Sequence, residues 1–236
     1  MNASRLQRIR KEERKYHEQC FENVKLYQKG TWLHEPVDLV MDHFDYLQTD
    51  KPLSILDLGC GVGRHSIPLA DKVRVTGGYV QCVDLLEKAL EKLNQYSRRY
   101  GVDDAIRTEQ GDISDYQIQE NSYDYIVAGS SLEHVRSEDL LQKVLQRMAK
   151  GTREKGINCI LMNTNIKEFN KKDGTERETL FEVILDKEKA LSAFRREYKG
   201  WKELHVGEEP LELEINRDKE PVILKAVSLS YIVQKP

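Results

Sequence analysis

The stretch that most limits what this chain can fold into is Leu53-Ser-Ile-Leu-Asp-Leu-Gly-Cys-Gly-Val-Gly63. Its first part, Leu53 to Leu58, is mostly aliphatic and reads as a buried strand. Glycines then fall at alternate positions, Gly59, Gly61 and Gly63. Main chain without Cβ atoms at a strand end lets a ligand come closer than any other residue would allow. The residues that follow turn helical, and the free N–H groups of a helix start point at the same spot. A strand, a bare loop and a helix in that order predict an α/β fold with a nucleoside-bearing cofactor at the loop.

Spacing narrows the choice of cofactor. A dinucleotide fingerprint, Gly-x-Gly-x-x-Gly, fits poorly. Counted from Gly59, the third glycine comes one position early; counted from Gly61, the last place is Ser66. The next apolar run, Tyr79 to Val83, ends at Asp84, about twenty residues past the loop. An acid at that place can accept both hydroxyls of a ribose. It can also cap the helix expected from near Leu85, and the two roles are compatible. A third run, Ala105 to Gln110, leads to Gly111-Asp112-Ile113, which reads either as a ligand position or as a plain Gly-Asp turn. The fourth is Tyr123 to Val127, followed by Gly129-Ser-Ser-Leu-Glu-His134. Ligands in open α/β sheets lie beyond the carboxyl ends of the strands, so Ser130 to His134 would line the floor between cofactor and substrate.

The pattern Asp57-x-Gly59-x-Gly61-x-Gly63, with Cys60 inside the loop, resembles motif I of the class I S-adenosylmethionine-dependent methyltransferases. That resemblance implies a loop that holds a methionine tail, with Asp57 near the cofactor's ammonium group. It implies that Asp84, with Leu85 beside it, meets the ribose, and that Asp112 and Ile113 meet the adenine. Tyr-Asp-Tyr-Ile-Val127 is similar to the family's strand four, and Leu-Glu-His-Val135 to the segment after it in small-molecule methyltransferases. Two further pieces resemble the tellurite-resistance branch: Gly61-Val-Gly-Arg-His-Ser66, and the tail from Ala190 to Leu204 with its Glu-rich continuation. The motifs cover roughly residues 50–165. The resemblance implies S-adenosyl-L-methionine as cofactor and a small molecule as methyl acceptor.

Composition agrees. A chain of 236 residues is long enough for one α/β domain with a sizeable core. A net charge of −3 supplies no field to recruit nucleic acid or an anionic membrane. No apolar stretch approaches the ~20 residues of a membrane span, and the first ten residues lack a signal peptide's apolar centre. Cys20, Cys60, Cys82 and Cys159 form no Cys-x-x-Cys pair and read as free thiols of a reducing, cytoplasmic protein, with no metal site expected.

Along the chain, residues 5–28 read as a helix with Tyr16, Cys20, Val24 and Tyr27 on one face. Its start is basic, but Glu12 and Glu13 among the arginines point to a solvated face rather than a nucleic-acid arm. A second helix is expected from Pro36, at the first helical position, to about Gln48. Further helices are expected over 86–100, from the N-cap Ser137 to a stop at Gly151, and over 187–199. Ile157 to Asn163 reads as strand five. Residues 165–178 are mostly polar and read as a lid or disordered loop. Residues 211–215 and 222–233 alternate as the arms of an antiparallel hairpin.

The expected architecture is thus α/β and Rossmann-like: a central, mostly parallel sheet with one antiparallel strand and an N-terminal helical lid. Residues 1–49 would be the lid and 50–236 the cofactor-binding domain, together one structural unit. Methyl transfer from a sulfonium needs no covalent nucleophile; aligning donor and acceptor in a dry pocket supplies much of the acceleration. A base is needed only where the acceptor carries a proton. His134 is the candidate, His65 stands second, and Arg64 is placed to bind an oxyanion. The acceptor classes in view are a thiol, an amine, a carboxylate or a metalloid oxyanion. Neither Asn/Asp-Pro-Pro-aromatic nor Pro-Cys follows strand four, which speaks against nucleic-acid bases. Trp32 and His34, just before Pro36, read either as a cap on the cofactor pocket from the N-terminal side or, for Trp32, as a hydrophobic staple at a helix start. Two other functions keep a place: a non-catalytic S-adenosylmethionine-binding partner or sensor, and an NAD(P)-dependent oxidoreductase.

Overall fold

A computed structural model describes residues 3–47, 50–218 and 220–236. Helix α1 (Ala3–Asn23) is followed by α2 (Asp38–Phe44), β1 (Ser54–Leu58), α3 (Ser66–Arg74), β2 (Tyr79–Asp84), α4 (Glu87–Tyr100), β3 (Ile106–Gln110) and β4 (Tyr123–Gly129). Then come α5 (Glu138–Gly151), β5 (Thr152–Asn170), the short β6 (Glu176–Arg177), α6 (Lys187–Glu197), β7 (Lys202–Arg217) and β8 (Glu220–Gln234). The strands lie in the order β3-β2-β1-β4-β5-β8-β7, with β6 paired to β5. From β3 to β5 all pairings are parallel, while β8 runs antiparallel between β5 and β7.

All five residues of β1 are buried, as a central strand covered on both faces requires. One core lies between the sheet and α2, α3 and α4, built on Ile55, Val80, Leu69, Leu93 and Phe44. The other lies under α5 and α6, built on Leu56, Ile126, Leu145, Ile160 and Phe194. Strand order reverses between β1 and β4, which places the ligand crevice at the carboxyl ends of these strands.

The segment expected as a lid or disordered loop, 165–178, is neither. Strand β5 runs on through it for 19 residues in all, to Asn170, and β6 folds back on its end. The pairing with β8 slips between Thr164 and Lys167, around Asn165 in the left-handed region at φ 52°. Such a bulge bends the strand and increases its twist. Beyond it β5, β7 and β8 project as a small lobe with a core of its own, Ile166, Phe181, Ile215, Val222 and Leu224, against which Tyr16 of α1 packs.

Other boundaries differ from expectation. Helix α1 ends at Asn23, and Tyr27 stands in a turn at φ 63°. Val37, not Pro36, flanks the start of α2, which stops at Phe44; Gln48 lies outside the described residues. Ser137 caps α5 by accepting the N–H of Leu140. Gly151 is the last residue of that helix rather than a left-handed stop, and a Cβ there would meet Ile118 at 2.2 Å. No helix among the described residues is long and apolar enough to cross a membrane.

Candidate active site

The crossing from β1 to α3 is held by its main chain. The N–H groups of Gly59 and Cys60 both donate to the carbonyl of Val83, at 2.8 and 3.1 Å. The three glycines are not equivalent. A Cβ on Gly59 would stand 2.4 Å from Ser131, and one on Gly63 2.4 Å from Leu93, so both are required for packing. At Gly61, φ 53°, a Cβ would meet only the ring of Phe21 at 3.8 Å. Gly61 is therefore the loop residue whose bare backbone faces the crevice.

Three acids mark the strand ends. Asp84 accepts the N–H of Gly61 on one oxygen and that of Leu86 on the other, both at 2.8 Å. It ties the loop to the start of α4 through an Asx turn rather than as the helix N-cap, a position that Leu86 holds. Burial raises its carboxyl pKa against those two N–H groups. Asp57 lies behind the loop, fully buried, and accepts the hydroxyl of Ser66 at 2.6 Å. Burial pushes its pKa up to about 7, against the pull of Ser66 and with help from the charge of Asp84. Asp112 follows β3 and accepts the N–H of Ser114 at 2.8 Å. Its other oxygen pairs with Arg10 of α1 at 2.8 Å and stands 3.5 Å from Arg136. Burial raises its pKa, but Ser114 and Arg10 outweigh that and hold it below the usual carboxylate range.

The remaining expected contacts fall around these acids. Leu85 is half-buried and its carbonyl accepts from Gln110; Ile113 is buried. Ser130 directly follows β4 with φ 52°, an uncommon conformation for a residue other than glycine, and its N–H donates to the carbonyl of Leu161 at 2.7 Å. Strain of this kind concentrates at functional sites.

His134 sits in the 3-10 turn Leu132–His134. Its Nδ1 lies 3.2 Å from Glu182 and its Nε2 3.9 Å from Glu13, and its ring stacks on Phe181 with centroids 5.2 Å apart. Burial lowers its pKa, but the two carboxylates override that and raise it to about 9. Held this way, His134 is a cation at neutral pH. His65 is buried with an unpartnered Nε2, and burial lowers its pKa to about 3, so it stays neutral. Arg64 is turned away from the crevice and donates to the carbonyl of Glu35 at 2.6 Å. That contact takes up one of its N–H groups. Trp32 lies beside Phe21 of α1, ring centroids 6.5 Å apart, which is not a staple at the start of α2.

Helix α1 roofs the crevice with one face. Arg10 lies on Asp112, Glu13 and His17 on His134, and Phe21 on Gly61. Glu12 and Glu13, expected in solvent, are both buried. Glu12 accepts the N–H of Asp218 at 3.2 Å. Glu13 lies 2.6 Å from Arg217, which is 1% exposed and also pairs with Glu168 at 2.8 Å. Burial raises the Glu13 pKa, yet His17, His134 and Arg217 bring it down to about 2. Sequence reasoning missed Arg10, Glu13, His17, Glu182 and Arg217. The readable signal was the spacing of Arg10, Glu13, His17 and Phe21, which share a helix face.

Tyr-x-x-x-Lys, the spacing of short-chain dehydrogenases, occurs at Tyr198–Lys202 and Tyr231–Lys235, but away from the crevice. The Tyr198 hydroxyl accepts from Asn158 and the Tyr231 hydroxyl donates to Glu203. One open concavity of about 410 Å³ also lies elsewhere, between Tyr27, Pro36, Ile67 and Tyr100.

Residues 55–156 match the family described as "Methyltransferase domain". Methyltransferase GfsG of Streptomyces halstedii is 28% identical over 107 residues, which are 45% of this chain and 37% of that protein. The chain spans 22% to 37% of the length of the curated relatives it matches. Among solved structures, TehB from Haemophilus influenzae superposes with a TM-score of 0.64 at 23% identity, over 88% of this chain and 64% of that one. Phosphoethanolamine N-methyltransferase 1 of Haemonchus contortus, solved with phosphoethanolamine and S-adenosylhomocysteine, gives a TM-score of 0.61 at 17% identity, over 96% and 50%. These likenesses are of fold.

Proposed function

We propose that this chain, a class I S-adenosylmethionine-dependent methyltransferase in its fold and in its matched domain, methylates a small molecule held between the strand ends and α1. The observation that carries this reading is the convergence of Gly61, Asp84 and Asp112 on one crevice, with His134 and Glu182 on its far side.

These residues suit the cofactor. Asp84 has both oxygens at the crevice and lone pairs left over for ribose hydroxyls. Asp112, with buried Ile113 beside it, suits the adenine amino group once Arg10 is displaced. Gly59, Cys60 and Gly63 shape the loop, and Gly61 lets a ligand lie against main chain. Leu85 and Ser130 flank that path. Asp57, buried behind the loop and neutral up to about pH 7, is a charge reserve that a nearby ammonium would draw into the ionised form. When bound, S-adenosylmethionine supplies a methyl group already activated on a sulfonium.

The chain's own work is then orientation and exclusion of water. Helix α1 has to lift for ligands to enter and then closes over them, which makes residues 1–49 the lid of the domain at 50–236. The projecting lobe supplies Glu182 and Phe181 as the acceptor's wall. His134 can serve as a base only after Glu13 has left its Nε2; while Glu13 stays, His134 offers positive charge to an anionic acceptor. The acceptor classes favoured are a thiol, an amine, a carboxylate or a metalloid oxyanion. The resemblance of the loop Gly61 to Ser66 to the tellurite-resistance branch favours the last of these.

Calorimetry with S-adenosylmethionine, S-adenosylhomocysteine and NAD tests the cofactor, and binding of NAD alone would overturn the reading. Turnover is tested by release of labelled S-adenosylhomocysteine across a panel of the four acceptor classes. Binding without turnover on a broad panel would favour the non-catalytic sensor.

A further inference from the structure

We infer that Glu13, His17 and His134 form a binding site for a divalent transition-metal ion of the zinc class, at the boundary between the cofactor crevice and the lobe. Glu13 and His17 stand one helical turn apart on the buried face of α1, and His134 approaches from the turn after β4. One ligand atom from each lies within 4.8 Å of the other two. Glu13 Oε2 is 3.4 Å from His17 Nε2 and 3.9 Å from His134 Nε2.

These separations exceed the roughly 2.7–3.2 Å of good hydrogen bonds, so the three groups converge as loose ion pairs rather than as tightly bonded partners. Tetrahedral zinc with bonds of about 2.0–2.1 Å places its ligand atoms about 3.3 Å apart. The two Glu13 separations, 3.4 and 3.9 Å, are within a few tenths of an ångström of that value, and the histidine nitrogens, within 4.8 Å of each other, have to draw together by up to about 1.5 Å.

The surroundings support ligation. A metal-bound histidine commonly donates its second N–H to a carboxylate, which fixes the ring and its tautomer. Glu182 stands in that place for His134, 3.2 Å from Nδ1, and leaves Nε2 aimed at Glu13 and His17. The second oxygen of Glu13 is held by Arg217, whose charge Glu168 already meets. Two of the three ligands are thus oriented from behind. Three protein ligands leave a fourth position open, the pattern of catalytic rather than structural zinc. If the methyl-transfer reading holds, an ion there would lower the pKa of a bound thiol or hydroxyl acceptor. No Cys or His spacing announced such a site, because its ligands come from one helix and a distant turn.

The test uses the full chain, freed of metal by a chelator and dialysed. Calorimetric titration with Zn²⁺ is expected to show one equivalent bound. Co²⁺ is expected to give the d–d absorption of a four-coordinate nitrogen/oxygen site. His17→Ala, at a half-buried position, is expected to weaken Zn²⁺ at least 100-fold and to abolish the cobalt bands. Glu182→Gln, acting through His134, is expected to cost about 10-fold. Circular dichroism checks that each variant is folded, and His17→Gln is the substitute should the alanine variant unfold. Absence of stoichiometric binding by the wild type would overturn the inference. So would equal affinity in a folded His17 variant, or thiolate-to-cobalt charge-transfer bands that assign the ion to cysteines. Binding of S-adenosylmethionine is measured separately, so failure of the cofactor reading and failure of the metal site are distinguishable.

Discussion

Asp57 lends itself to a quantitative test. Its carboxyl is fully buried behind the glycine loop, has Ser66 as its hydrogen-bond donor, and is raised from an ordinary 3.8 to about 7. Between those values the folded chain holds a proton that the unfolded chain has released. Stability therefore declines as pH rises through this window, because the folded state binds more protons than the unfolded one. At 1.36 kcal/mol per pH unit the full excursion is about 4 kcal/mol, and partial relaxation around the charge would reduce it to about 2. Asp57→Asn removes the titration while keeping the shape and an acceptor for Ser66. Urea unfolding of both proteins at intervals from pH 4 to 8 is the assay, read as the difference in free energy at each pH. That difference cancels the groups that do not interact with Asp57, including His65 and His134, whose shifts run in opposite directions. The asparagine variant is expected to gain 2–4 kcal/mol on wild type between pH 4 and pH 8. Parallel curves would refute the reasoning and mean that Asp57 is already ionised in the folded chain, reached by water or by an unrecognised donor.

Further outcomes follow from the same site. Asp84→Ala is expected to weaken S-adenosylmethionine by about 1–3 kcal/mol in calorimetry, because it strands the Gly61 N–H as well as the ribose hydroxyls; unchanged affinity would reduce Asp84 to a turn-former. Arg10→Ala removes a half-buried ion pair between α1 and Asp112, worth about 1 kcal/mol. Cofactor association in stopped-flow fluorescence should then quicken about fivefold, and an unaltered rate would mean that this pair does not latch the helix. Arg217→Met leaves Glu13 and Glu168 buried without their partner, and a loss of about 3–5 kcal/mol in urea unfolding is expected. A small loss would show that the two acids take up protons instead.

The parallel half of the sheet was legible because aliphatic runs, glycines and strand-end acids repeat at the intervals that βαβ units impose. Three places resisted for physical reasons. Helix α1 was read as solvated, yet its buried face carries Arg10, Glu13 and His17, which hydrophobic periodicity cannot detect. The continuation of β5 was masked in the same way: Ile166 and Glu168 alternate inward as strand residues should, but Glu168 is buried as the partner of Arg217. Arg64 looked available because a sequence displays charge and conceals the carbonyl of Glu35 that takes it up. Asp57, Asp84 and Asp112 were each found at a strand end, but the hand that Arg10 lays on Asp112 comes from a helix a hundred residues away in the chain.

The slip at Asn165 has a consequence for how such a chain diversifies. On one side of the kink β5 and β8 belong to the main sheet, whose register must be kept; on the other the same two strands form the small lobe, which under the proposed function walls the acceptor. Changes of residue or length past that elbow reshape the lobe while the nucleoside cradle keeps its geometry. On the proposed reading, selectivity and donor recognition would then be tuned on opposite sides of one misaligned rung.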